Sequence, residues 1–384
     1  MISNKEEKQN LRPRILLYSE RNLYEREVWR CPFYEFENIL QEIDSVDLLA
    51  PSRTRWYEDR LRVSLRLGNY LKTPIVSPGI APIKLDKDYD AFFTVIEKPG
   101  EALNIKAIKG LKDRCKTSIC WVAEFYAWNM KTHRSSLEML KEFDHVFFMA
   151  SNYQPFNKVL PVEVRYLAAG VDTLRFCPYP NPPERCIDVL SIGRRSEKKH
   201  QALLRLAREE GLFYMYDTIN DLHAYNLDEH RALVANLAKR SRYFIVNPGK
   251  IDMPEETGGQ AEFGYRYFEA AAPGTIMIGE RCKNREFEKM FTWEDAVINS
   301  PFDSEDIGEV MKDLDRQPER QARIRRENIV QSLLNHDWAY RWESVLKVAG
   351  LEPLSGLVKR KQKLVERAAM VQEYQTHAQP AGQR

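Results

Sequence analysis

One rhythm constrains this chain more than any other feature. Short runs of apolar, β-branched and aromatic residues recur between longer segments that carry one apolar and one charged face. Strands apolar on both sides must be covered on both sides, and a parallel neighbour is reached through a crossover helix. In the first half the pattern predicts strands at Ile15–Ser19, Val46–Ala50, Ala91–Ile96, Thr117–Ala123, His145–Ala150 and Glu163–Ala168. The segments Arg53–Tyr70, Glu101–Cys115 and Asn129–Phe143 are expected to be helical. Pro178-Tyr-Pro-Asn-Pro182-Pro183 then interrupts, because proline lacks the amide donor that a helix interior or central strand needs. Beyond it the rhythm restarts, with strands expected at Ile187–Ile192, Leu212–Asp217, Tyr243–Asn247, Thr275–Gly279 and Ala296–Asn299. Helices are expected at Lys198–Glu210, Asp228–Ser241 and Glu262–Ala272, and across Asp303–Leu351. The fold class implied is α/β: two doubly wound Rossmann-like domains facing a cleft, with a C-terminal helical extension. Their limits are expected at 1–177 and 187–350, with a linker at 178–186 and a basic helix and disordered tail at 351–384.

With 384 residues, 43% of them apolar, the chain is long enough for two cores. Lys+Arg 58 against Asp+Glu 56 leaves +2, and no global field points to nucleic acid. Six scattered cysteines without CxxC spacing read as reduced thiols, and no metal site is expected. The polar start and the lack of a long apolar stretch place the protein in the cytoplasm. A nicotinamide-linked oxidoreductase would share the fold, but neither domain entry carries Gly-x-Gly-x-x-Gly.

Chemistry concentrates in four places. In Glu262-Phe-Gly-Tyr-Arg266-Tyr-Phe-Glu269-Ala-Ala-Ala-Pro-Gly274-Thr275, a continuous helix would set Glu262, Arg266 and Glu269 within roughly a 60° arc. An outward carboxylate there can hold a ribose diol, or simply join a solvated Glu–Arg–Glu ladder. In Asp188-Val-Leu-Ser-Ile-Gly193-Arg194-Arg195-Ser-Glu-Lys-Lys199-His200, a strand runs into a glycine turn. Gly193 would admit a ligand to the backbone, while Arg194 and Lys199 would neutralise a diphosphate. Asn247, at the end of the predicted strand Tyr243–Asn247, joins this donor-binding group. In the first half, Glu124 ends a strand, with Trp128 nearby. Glu124 would act as a general base, orient an acceptor hydroxyl, or merely favour a helix N-terminus. Arg21 and Glu25, in the loop after the first strand, are the remaining acceptor-binding candidates with Trp128.

The first of these segments resembles the nucleotide-binding signature of group 1 glycosyltransferases, of GT-B fold, with Phe263, Gly264, Glu269, Ala270, Gly274 and Thr275 in register. The family's first Glu falls on Ala261, and Glu262 stands one residue late. The Arg266-to-Ala270 form is similar to the spore-maturation branch. Gly193, Arg194 and Lys199 match the family's Gly-Arg-x4-Lys element, with His200 where glycine is usual. Gly170-Val-Asp172-Thr-Leu-Arg-Phe176-Cys-Pro178 is similar to its interdomain turn, so the likeness runs over about residues 145–350. It implies transfer of a sugar from a nucleotide-diphosphate sugar, used as substrate and not as cofactor, to an unidentified glycan or small-molecule acceptor. The alternative is a non-catalytic scaffold that binds nucleotide sugars.

Residues 355–384 hold Lys359, Arg360, Lys361, Lys363, Arg367 and Arg384 against Glu366 and Glu373, a net +4 that leaves −2 for the rest. Leu357, Val358, Leu364, Val365, Ala368 and Val371 form a helical stripe over roughly Leu357–Tyr374, which must find a surface. Docking on protein, whether the first domain or a second subunit in a homodimer, is favoured over an anionic membrane because the stripe contains no Trp or Phe.

Overall fold

The computed structural model describes residues 12–24, 27–74, 79–218, 224 and 226–376. The chain forms two compact units that interleave in sequence: Met1–Ala168 with Arg341–Val358, and Ala169–Tyr340 with Lys359–Arg384. In the first, β1 (Ile15–Tyr18), β2 (Val46–Leu49), β4 (Tyr89–Ile96), β6 (Cys115–Val122), β7 (His145–Phe148) and β8 (Val164–Tyr166) form a parallel sheet in the order β2-β1-β4-β6-β7-β8. A parallel pair, β3 (Ile83–Lys84) and β5 (Ile108–Lys109), lies apart from it. In the second, β9 (Ile187–Ser191), β10 (Tyr214–Tyr216), β11 (Ser241–Val246), β12 (Ile276–Gly279) and β13 (Ile298–Asn299) are parallel in the order β10-β9-β11-β12-β13. Both orders reverse direction once, between β1 and β4 and between β9 and β11, which is the doubly wound arrangement.

Burial on both faces explains the composition of the strands. All four residues of β12 and five of the six in β11 are buried. These two strands lie so close at their ends that a Cβ added to Gly279 would stand 1.7 Å from the Val246 carbonyl oxygen. In the first unit Phe33, Phe36 and Trp121 meet edge to face, Phe93 joins through Phe36, and Trp342 packs 5.3 Å from Phe93. Trp342 also donates from Nε1 to buried Asp44 at 2.8 Å. Trp338 and Trp342 are wholly enclosed and belong to the core.

Two expectations change and one helix is additional. Glu101–Cys115 is not one helix: a 3-10 segment, Pro99–Ala107, is followed by β5 and one helical turn, Leu111–Arg114. Buried Glu101 turns back to accept from the Glu97 and Lys98 amides at 2.8 and 3.1 Å, and Gly110 adopts φ +75° between the pieces. Asn129–Phe143 likewise divides into a 3-10 turn, Ala127–Thr132, and a helix, Arg134–Leu140. A helix at Cys31–Ile43, with every residue from Cys31 to Glu37 buried, joins the expected elements, and its Phe36, Ile39, Leu40 and Ile43 recur at helical spacing.

The last helix, Ser355–Thr376, buries Leu357, Leu364, Ala368 and Val371. Arg360 inserts between Asp337 (2.8 Å) and Asp172 (2.7 Å), Arg367 donates to the Tyr179 carbonyl, and Tyr374 meets Tyr179 edge-on. Val358 and Val365 stay 55% and 54% exposed, so protein covers four of the six stripe residues, and these polar anchors lie within the second unit. The expected tail beyond residue 376 lies outside the described residues.

Candidate functional site

The reversal point of the second sheet organises the site. Ligands of open parallel sheets bind beyond the carboxyl ends of strands where the order reverses. Here β9 leads into Ile192 and Gly193, and β11 into Asn247 and Pro248. The pairing of Leu190 with Phe244 brings the carboxyl ends of these two strands side by side. Gly193 has φ +88°, and its amide donates to Asp217 at 2.9 Å. Asn247 Oδ1 is buried and accepts no hydrogen bond among the described residues. A buried carbonyl oxygen without a donor is costly in a native fold. A donor on a ligand would offset that cost.

Arg266 ties the two sequence segments together. Its Nε donates to the Ile192 carbonyl at 3.2 Å, and its Nη1 pairs with Glu269. The second oxygen of Glu269 pairs with Arg231, which is itself buried and lies 5.1 Å from the Phe176 ring centre. Glu269 has no exposed surface, so the expectation of an outward carboxylate is corrected. Burial alone would raise its pKa, but Arg266 and Arg231 overcome this and hold it at about 2. The common face for Glu262, Arg266 and Glu269 is corrected too. The helix begins at Tyr265 because Gly264 is extended and the Glu262 carbonyl accepts from the Gly249 amide at 2.6 Å. Glu262 consequently lies before the helix, its carboxylate bonded by Gln260.

Arg194 and Lys199 differ in setting. Arg194 is 43% exposed and pairs with Asp252 at 3.1 Å. Lys199 follows the Ser196 cap and is buried, its Nζ donating to the Ser300 and Pro301 carbonyls at 3.1 and 2.8 Å. An ammonium has three donors, so one is left for a ligand. Burial lowers the Lys199 pKa to about 8 against the opposing pull of Asp306, Glu280 and Asp303. Beyond Asn247, a cavity of about 120 Å³ is lined by Gly249, Lys250, Gln260, Arg281 and Lys283, among others.

In the first unit, Arg21 pairs with buried Glu37 at 2.6 Å and bonds Ser19. Glu124 follows β6 and donates its amide to the Glu97 carbonyl at 2.7 Å, while Trp128 stands exposed on the following 3-10 turn. Glu25 lies outside the described residues. Sequence reasoning missed two buried clusters. Arg231 falls in phase with Val234, Ala235 and Ala238 on the buried face of its helix, and an arginine at such a position is a readable signal of a buried partner. Arg30 sits among Glu27 (2.8 Å), Glu97 (3.1 Å), Glu20 (3.4 Å) and Glu101 at the ends of β1 and β4. Burial, opposed by Arg30 and reinforced by Glu101, pushes Glu97 up to about 8. The available signal was an acid directly after each of two predicted strands.

Residues 213–347 match a family model described as glycosyl transferase-like. Sequence comparison with curated proteins finds no match. Among solved structures, HepE of Anabaena in complex with UDP-glucose is 9% identical, with TM-score 0.50, over 88% of this chain and 99% of that one. An alpha-glucosyltransferase in complex with UDP and a DNA 13-mer is 13% identical with TM-score 0.50 and the same coverages. The two likenesses establish the fold, and the family match supports an enzyme of the glycosyltransferase class.

Proposed function

We propose that this chain, a glycosyltransferase of GT-B fold, binds the nucleotide of its sugar donor in the second unit, beyond β9 and β11, and passes the sugar to an acceptor hydroxyl. The observation that carries the reading is the Arg266 side chain. It joins Ile192, in the 188–200 segment, to Glu269, in the 262–275 segment, so two motifs far apart in sequence come together. Glu269 takes the ribose hydroxyls once Arg266, whose side chain is 34% exposed, gives up one carboxylate oxygen. Asn247 bonds a donor group of the nucleotide sugar, and Glu262 lines the sugar end. Arg194 and the third proton of Lys199 meet the diphosphate, where charge builds on the leaving group. Arg21, Glu25 and Trp128 are proposed for the acceptor, with Glu124 taking its proton.

UDP is the first nucleotide to test, because HepE and the alpha-glucosyltransferase were held with UDP-glucose and UDP. Calorimetry should show saturable UDP binding by the wild-type chain, weakened about ten-fold or more in Asn247→Ala, since hydrogen bonds of this kind contribute about 0.5–1.5 kcal/mol and an unmet buried partner adds to the loss. Undiminished affinity in that variant would remove Asn247 from the site. Cations at the diphosphate also suit transfer without a divalent ion. Turnover should persist in chelator, and activity restored only by magnesium or manganese would contradict that. The cytoplasm is the proposed compartment, in keeping with six cysteines that are all unpaired.

A further inference from the structure

The helix Tyr57–Leu71 in the first unit has a broad apolar side, and the chain covers only part of it. Tyr57, Ser64 and Gly68 point inward, and the helix is pinned there. A Cβ on Gly68 would meet that of Ser135 at 2.9 Å, and Asn69 accepts from the Ser135 amide and hydroxyl at 3.0 and 2.8 Å. On the adjoining side Val63, Leu67, Tyr70 and Leu71 are 50%, 45%, 83% and 53% exposed. At helical spacing these four lie within about a 100° arc. Trp56, one residue before the helix, is 57% exposed, with the Arg55 guanidinium 5.4 Å from its ring centre.

Cations surround this stripe. Between Arg53 and Lys72 there are six, Arg53, Arg55, Arg60, Arg62, Arg66 and Lys72, against Glu58 and Asp59, so twenty residues carry +4 while the whole chain carries +2. All six are exposed. Arg53 and Arg62 have exposed carboxylate partners at 3.3 and 3.6 Å. Arg60, Arg66 and Lys72 pair with no carboxylate among the described residues.

We propose that this face docks on an anionic bilayer, with Trp56, Val63, Leu67, Tyr70 and Leu71 entering the interfacial layer and the cations meeting lipid headgroups. An apolar stripe flanked by Arg and Lys, with Trp and Tyr at its ends, matches the composition of helices that lie in the plane of a membrane interface. Guanidinium stems lie along the apolar layer while their charges stay at the surface. A second copy is a poor occupant, because a twofold interface through this face would bring +4 against +4. Among the described residues no helix is long and apolar enough to cross a membrane, so the contact lies on the surface. The proposal is independent of the donor site.

The test is co-sedimentation of the full chain with phosphatidylcholine vesicles, alone or containing about 30% phosphatidylglycerol, at low and high salt. The expected result is binding to the anionic vesicles only, falling about ten-fold or more in high salt, in Leu67→Asp/Tyr70→Asp and in Arg62→Glu/Arg66→Glu. Because all four side chains are exposed, both variants should keep the wild-type melting temperature and UDP affinity. A wild-type chain that stays in the supernatant, variants that sediment as the wild type does, or equal binding to neutral vesicles would each overturn the proposal. So would a dimer, seen by light scattering without vesicle binding, that Leu67→Asp/Tyr70→Asp converts to monomer.

Discussion

Glu269 has no exposed surface and lies between two guanidiniums, so its role in binding is inseparable from its role in the fold. Removing one partner from a buried ionic cluster costs about 3–5 kcal/mol, because the remaining charges stay buried without a counterion. Glu269→Gln should therefore lower the melting temperature as well as weaken UDP binding, and both are measurable on one preparation. The sign of the pH dependence follows from a carboxyl held at about 2. Its contribution is complete above the ordinary carboxylate pKa and is lost as pH falls through about 2, so the stability gap between wild type and variant should narrow from about pH 4.5 downward. A gap that stays constant to pH 2 contradicts this. Lys199 behaves in the opposite sense. With its pKa near 8, it loses its charge in mildly alkaline solution, so kcat/KM for the donor should decline above about pH 8. Lys199→Arg should abolish that decline whatever its absolute rate, and an unchanged alkaline limb would assign the titration to another group. For stability, the cost of burying the ammonium is present below about pH 8 and is relieved as pH rises toward the unfolded value of about 10.4.

Elements were legible wherever a local pattern and its tertiary use agreed. Parallel strands are apolar on both faces, so β4, β6, β11 and β12 stand out as short runs between polar segments. The Cys31–Ile43 helix carries the same kind of pattern, with Phe36, Ile39, Leu40 and Ile43 at helical spacing, but its first seven residues are buried whatever their polarity. At Glu101 a side-chain contact with two amides displaced the helix that periodicity implied, as local hydrogen bonding to the backbone often does. The candidate site divides in the same way. Gly193, Lys199 and Glu269 lie in contiguous stretches whose residue types already suggest a turn, a cation and a carboxylate. Arg231 signals a buried partner by its phase on the helix, but which partner was illegible, because Glu269 is 38 positions away and reached only once both helices pack on the sheet.

Across the molecule, the buried Arg360 cluster depends on residues from three distant points of the sequence. Asp337 accepts from Arg360, from the Thr173 amide and hydroxyl at 3.0 and 2.9 Å, and from the Ala339 amide at 2.9 Å. Arg360→Ala would leave two buried aspartates without their cation and should cost about 3–5 kcal/mol of stability. Chemical denaturation measures it directly, and a loss under about 1 kcal/mol would show that solvent reaches the pair. Interleaving of the units has a consequence for synthesis. Domains usually fold as units in the order in which they are made. Here the first unit also requires Arg341–Val358, which begins 173 residues after Ala168 and supplies Trp342 for Asp44 and the Glu352 carbonyl for Arg14. The first half of the chain must leave the ribosome with an unfinished core and wait, so nascent-chain aggregation and chaperone demand should peak before Val358 is made and not at the proline-rich segment midway.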